Sequence, residues 1–203
     1  MYLNFNSMNK FYSFETKRLK NIFYCVQRKN CDTSGFNDSW ATERGELPLN
    51  YYDLEVNFGK EFDNFLTFGF TAVIHKSVVK IFKSGKLTGW RSDPVSIKIK
   101  KGVVNSDYEY WIILGKCGPL IAGEIDCEYR KIADIHSAKS TYRLGLNFDI
   151  KSWDGSDFFM STDKSGYLLM TERAKKVIEL IESKNVKILP LEELKVHSDY
   201  FHG

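Results

Sequence analysis

The side chains best suited to nucleophilic, proton-transfer or metal chemistry in this 203-residue chain are four cysteines (25, 31, 117 and 127) and four histidines (75, 136, 197 and 202). Covalent catalysis sets a Ser, Cys or Thr beside a base, usually His, with donors aimed at the developing oxyanion. No G-x-S-x-G turn raises a serine for that role. Cys117 or Cys127 with His136 would suit a hydrolase-like site, but the residues are too dispersed for spacing to bring them together. His75 stands at the start of a helical stripe, where capping or solvent accounts for it, and His197 and His202 fall in the tail. The cysteines form no Cys-x-x-Cys pair, and the gaps of five and nine residues match no common structural zinc pattern. Cys25 sits in the apolar run from Ile22 to Val26, where a reduced thiol packs as a small hydrophobe. The reading is therefore reduced structural thiols, no catalytic set, no metal and no cofactor.

Other chemistries have as little support. Gly115, Gly118 and Gly123 follow an apolar run, yet they lack the Lys-Ser/Thr ending of a P-loop and the spacing of a dinucleotide fingerprint. Glu124, Asp126 and Glu128 alternate along a predicted strand, which gives a charged solvent face. The 29 basic and 26 acidic residues leave a net charge of +3. Nucleic-acid binding needs clustered basic residues, and the longest cluster, Lys98, Lys100 and Lys101, alternates with Ile97 and Ile99 as the wet face of a strand. The N-terminal residues lack a secretory pattern, and Tyr110–Leu114 is far too short to span a bilayer. A cytoplasmic protein without nucleic-acid or membrane partners is the expectation.

The elements that must position these residues show an internal repetition. From Asp63 the chain reads as an Asp-aromatic entry, a short apolar stretch, a helix carrying Ile74, Val78, Ile81 and Phe82, and an exit through Leu87, Thr88 and Gly89. From Asp157 the same phrase returns, with Met170, Ala174, Val177, Ile178 and Ile181 on one helical face and an exit through Asn185, Val186, Leu189 and Pro190. Thr171 is placed to cap the second helix, and Gly85 to stop the first in the left-handed conformation. Glu172, Lys175, Glu179 and Glu182 are expected on the solvent side. Strands are predicted at Ile22–Val26, Tyr52–Val56, Val95–Ile99 and Tyr108–Leu114, the last apolar on both faces and therefore central. A further strand carries Ile125, Cys127 and Tyr129. Residues 29–50 read as loop, 131–152 as ambiguous, and 192–203 as a fraying tail.

Hydrophobic residues make up 43% and charged residues 27%, as in a globular domain able to bury a sizeable core. Many strands with only two strong helices argue for α+β rather than a doubly wound sheet. The expected fold is a mixed or mainly antiparallel sheet with two or three packed helices. It forms a single domain over 1–203, with a weak boundary near 101–107 between two related halves.

The two phrases resemble the immunity proteins of bacterial polymorphic toxin systems, specifically the group with a Ser-Glu-Arg-like helix start and a short final strand ending in Pro. The matching residues are Asp157, Phe158, Phe159, Thr171, Glu172, Arg173, Lys176, Asn185, Val186, Leu189, Pro190 and Leu191. In the middle of the chain they are Asp63, Phe65, Ile74, Lys76, Leu87, Thr88, Gly89, Tyr110 and Gly115, so the resemblance spans residues 20–192. Thr171 replaces Ser, His75 and Lys76 open the first helix without one, and Cys117-Gly118 lacks the partner cysteine of relatives with paired Cys-x-x-Cys-Gly motifs. The resemblance implies a cytoplasmic antidote that occludes a cognate toxin domain stoichiometrically and without chemistry. Such binding needs aromatic or Arg anchors, for which Trp40, Tyr51, Trp90, Arg91 and Trp153 are candidates. It also needs steering charges, for which Asp154, Glu124, Asp126 and Glu128 are candidates. Two rival functions are an enzyme with a dispersed Cys/His site and a regulatory domain with another protein partner.

Overall fold

The computed structural model describes residues 10–17, 19–27, 52–68, 71–99, 104–132, 136–163 and 167–197. The first half of the chain supplies β1 (Phe11–Thr16), β2 (Tyr24–Gln27), β3 (Tyr52–Phe58), β4 (Phe65–Phe68), β5 (Thr71–His75), α1 (Lys76–Ser84) and β6 (Trp90–Lys98). The second supplies β7 (Val104–Asn105), β8 (Tyr108–Ile113), β9 (Gly115–Cys117), β10 (Leu120–Ile132), β11 (His136–Phe148), β12 (Phe158–Ser161), β13 (Leu168–Thr171), α2 (Glu172–Glu179), β14 (Val186–Pro190) and β15 (Lys195–His197). This is the expected α+β class, with mostly antiparallel pairing and, among the described residues, two α-helices.

One sheet runs β3-β2-β4-β5-β8-β6-β7, and β3 also pairs with β6, so six of its strands close on themselves. Leu54, Leu66, Val73, Ile97 and Ile112 belong to the buried cluster inside this barrel. The second sheet runs β14-β1-β13-β12-β9 and the third β10-β11-β15. Phe65, Ile74 and Trp111, on the other face of the barrel strands, pack with Phe14, Phe158 and Met170 of the second sheet and with both helices. The two sheets thus share one core, and β8 is buried on both faces.

The repeated phrase is a repeated structure. Each copy is a hairpin (β4–β5 or β12–β13) whose second strand runs directly into a helix and then an exit strand (β6 or β14). Between the hairpin and its exit strand lies a strand from the opposite half of the chain. β8 sits between β5 and β6, and β1 between β13 and β14. The registers correspond: His75 faces Tyr108 as Thr171 faces Phe11, and Pro94 faces Glu109 as Pro190 faces Tyr12. The inserted strands meet where Phe14 and Trp111 pack edge to face, with ring centroids 5.2 Å apart. Polar bonds cross in the same reciprocal way. Asp157 Oδ2 accepts from Thr88 N at 2.9 Å, while Asp63 Oδ2 accepts from Lys184 N at 2.9 Å. Gly89, at φ +79°, passes so close to β12 that a Cβ there would lie 2.1 Å from the Phe158 carbonyl oxygen.

Several local expectations are corrected. Ile74 belongs to β5, so α1 buries Val78, Val79 and Phe82 and leaves Ile81 38% exposed. Gly85 is right-handed (φ −73°), and the left-handed residue is Lys86 (φ 50°). Residues 90–94, which precede the strand predicted at Val95–Ile99, are the first half of β6. Pro94 is tolerated there because the β8 pairing ends at it and the β3 pairing begins at Val95. Residues 136–148 form a strand, and part of the expected tail docks: β15 pairs with β11, and Leu191, Leu194 and Val196 are buried. α2 buries Ala174 and Ile178 and half-buries Val177; Met170 and Ile181 are buried as expected, but Met170 belongs to β13 and Ile181 follows the helix. Lys175 is not on the solvent side: it is half-buried, its Nζ 5.2 Å from the centre of the Tyr12 ring.

Candidate functional site

The residues able to do covalent chemistry are committed to the fold where they are described. Cys25 lies in the barrel cluster and Cys117 in a separate cluster under β10 and β11. Burial pushes both thiols up to about 12, away from the thiolate form a nucleophile needs. His75 Nδ1 accepts the N–H of Ser77 at 3.2 Å, which makes it the N-cap of α1, and its ring lies edge-on to Tyr108. The side chains of Cys127, His136 and His197, and all of Cys31 and His202, lie outside the described residues. Among the described residues no three His, Cys, Asp or Glu side chains are grouped to hold a metal ion.

The proposed anchors separate into different places. Trp40 and Tyr51 lie outside the described residues. Trp90 donates its indole N–H to the Leu87 carbonyl at 2.9 Å and packs edge-on to Phe82. Trp153 donates to the Ser156 carbonyl at 3.0 Å and packs against Phe11 and Phe159. Asp154 accepts from Lys116 N at 2.8 Å and from Ser156 N at 2.9 Å, a local turn that ties the chain to β9. Trp90, Trp153 and Asp154 each hold a loop in place. Arg91, on β6, pairs with Asp93 at 3.4 Å. Glu124, Asp126 and Glu128 lie on β10 opposite Leu144, Tyr142 and Ser140 of β11, at alternating register positions of a 13-residue strand. Among the described residues that strand pairs only with β11.

The clearest exposed apolar feature is at the root of this two-stranded ribbon. Ile121, Leu144 and Ile150 are 57%, 45% and 40% exposed. They line a groove of about 660 Å³ that is walled by Phe11, Leu146 and Phe148 and rimmed by Lys10 and Glu192. Large side chains grouped in this way, with charge at the rim, have the makeup of a protein contact surface. Alternation along Leu144, Leu146, Phe148 and Ile150 points to a strand but not to which of its residues stay uncovered. That depends on where the ribbon leaves the body of the protein.

Two buried carboxylates lie outside the candidate site residues read from the sequence. Asp157 is buried and gathers Thr88, Thr171 and Arg173, the last at 3.0 Å; Arg173 also donates to the carbonyls of Gly85 and Lys86. Asp93 is buried in β6, and burial holds its carboxyl above the usual range, against the pull of Arg91 and with a push from Glu109. Comparison with protein-family models and with curated proteins finds no match.

Proposed function

We propose that this chain is a non-catalytic protein-binding antidote that acts in the cytoplasm by stoichiometric occlusion of a toxin domain, the role its resemblance to immunity proteins implies. The observation that carries the reading is the groove at the root of the β10–β11 ribbon, where Ile121, Leu144 and Ile150 stand uncovered beside charged rim residues. An apolar centre excludes water on association, and charges at the rim steer the encounter. The acidic positions Glu124, Asp126 and Glu128 on the same ribbon match a basic partner surface.

Co-expression with the toxin domain encoded by the neighbouring upstream gene tests the reading. The chain is expected to rescue growth and to copurify with that domain. Ile121→Asp and Leu144→Asp, at exposed positions, are expected to weaken both effects while leaving the fold intact. Alanine at Cys117, Cys127 or His136 is expected to leave rescue unchanged. Loss of rescue in those alanine variants, with folding and copurification preserved, would overturn the occlusion mechanism in favour of an enzyme.

A further inference from the structure

The solvent side of α1 carries charge of one sign only. Lys76, Lys80 and Lys83 stand at i, i+4 and i+7, which sets them in one stripe, and Lys86 follows just past the helix end. All four are exposed. The chain holds no Asp or Glu from Asn64 to Ser92. Among the described residues none of these lysines has an ion-pair partner, whereas Lys175, Lys176, Lys184 and Lys187 each have a glutamate.

The helix itself gains nothing from this pattern. Lys76 sits in the first turn, where the helix dipole opposes a cation, and lysines three and four residues apart repel one another. The equivalent positions of α2, by the correspondence of His75 with Thr171, are Glu172, Lys176, Glu179 and Glu182. There Glu172 suits the dipole and pairs with Lys176, and Glu179 pairs with Lys175. Lys176, Glu179 and Glu182 are as exposed to solvent as the lysines they match, so burial does not account for the difference.

We propose that the outer face of α1 docks an acidic segment of a partner protein. Complementary charge attracts such a segment and fixes its register along the stripe. The same face offers apolar cover: Ile81 is exposed on the side towards α2, where a Cβ on Gly85, one turn further along, would lie 3.6 Å from Val177 Cγ2. Leu180, at the end of α2, is 83% exposed. Aliphatic side chains beside the stripe match a protein segment with Leu or Ile among its acids, and nothing on a phosphate backbone. The stripe also lacks arginine, the residue whose fork best fits phosphate. The whole chain carries only +3, so without these four lysines it would be slightly acidic. An extended polyanion or a bilayer reaches past a nine-residue helix onto that remainder, whereas a short acidic segment matches the helix alone. This surface is distinct from the ribbon groove, and the inference does not depend on the antidote reading.

The test is fluorescence anisotropy on the full chain with a labelled peptide of Glu-Glu-Leu repeats. Its Gln-Gln-Leu counterpart, a single-stranded oligonucleotide and phosphatidylserine vesicles serve as unlabelled competitors. Saturable binding of the acidic peptide is expected, weakening as salt rises from about 50 to about 300 mM, with poor competition from all three. K80E/K83E is expected to lower the affinity by about tenfold or more, and K80R/K83R to retain it. K20E/K151E, which makes the same change in net charge at exposed sites outside α1, is expected to leave it nearly unchanged. Lys80→Glu alone, which turns like-charge neighbours into opposite ones, is expected to weaken binding and to melt at or above the wild-type temperature. The proposal is overturned if the acidic peptide does not saturate or if a competitor binds as tightly. It is also overturned if K20E/K151E costs as much affinity as K80E/K83E, or if Lys80→Glu keeps full affinity or melts well below wild type.

Discussion

Asp157 and Thr88 are bound to each other across the two copies of the repeat: the Thr88 amide donates to Asp157 Oδ2 at 2.9 Å, and the Asp157 amide donates to Thr88 Oγ1 at 3.1 Å. Asp63 makes the reciprocal contact with Lys184 N, and its Oδ1 accepts from Ser183 Oγ. Asp157 is buried and also holds Arg173, whereas Asp63 is only half-buried. Alanine at Asp157 leaves several donors without an acceptor, so it is expected to cost about 3 kcal/mol or more. Alanine at Asp63, where water can substitute, is expected to cost about 1 kcal/mol. Urea unfolding of the two variants measures both; equal losses would contradict this ordering.

The helix α2 gives a second contrast. Ile178 is buried in the shared core, and replacing it by Ala is expected to cost about 2–4 kcal/mol through lost transfer energy and a cavity. Glu179 is exposed and pairs with Lys175 one turn away, so Glu179→Ala is expected to cost less than about 0.5 kcal/mol. Equal destabilisation in thermal melts would mean that the helix presents a different face.

The face of α2 was legible because 3.6-residue periodicity survives in its own segment: Ala174 and Ile178 mark the stripe without outside help. The two phrases were legible for the same reason. That their central strands are exchanged was not, because the residues of β1 alternate only weakly, β8 reads as an ordinary apolar strand, and partner choice depends on residues far along the chain. The docking of β15 was hidden because Leu194 and Val196 follow a proline in a polar stretch. Among the site residues, Trp90 and Trp153 stood out by type, yet their indoles hold nearby carbonyls. Asp93 did not stand out, since burial of a single charge in an alternating strand leaves no mark on composition.

Tyr12 and Glu172 give a pH-dependent contribution. The Tyr12 hydroxyl donates to Glu172, holding that carboxyl below its usual range, while burial and Glu172 itself push the Tyr12 hydroxyl up to about 12. A depressed carboxyl pKa stabilises the fold above the unfolded-state value of about 4.3, and that contribution is lost as pH falls through the folded value. A raised Tyr pKa stabilises below about 10, and that contribution is lost as pH rises towards about 12. Tyr12→Phe is therefore expected to flatten the dependence of melting temperature on pH at the acidic end, below about pH 4.3. An unchanged acid limb would show that the contact is not formed in solution.

The exchanged strands predict that neither half folds alone. A fragment of residues 108–203 lacks β1, the strand that joins β13 to β14, and exposes the face on which Phe14 and Phe65 pack. It is expected to show no cooperative unfolding transition, and to recover one when residues 1–107 are added in trans. A cooperative transition in the isolated fragment would instead mark two independent domains divided near 101–107.

The central claim, a binder that acts by occlusion, is tested most directly by titration. Residual activity of the upstream-encoded toxin domain is measured at fixed concentration against increasing amounts of this protein. Occlusion predicts a linear fall to zero at one equivalent, independent of incubation time. Complete inactivation by a small fraction of an equivalent, deepening with time, would contradict occlusion and identify turnover.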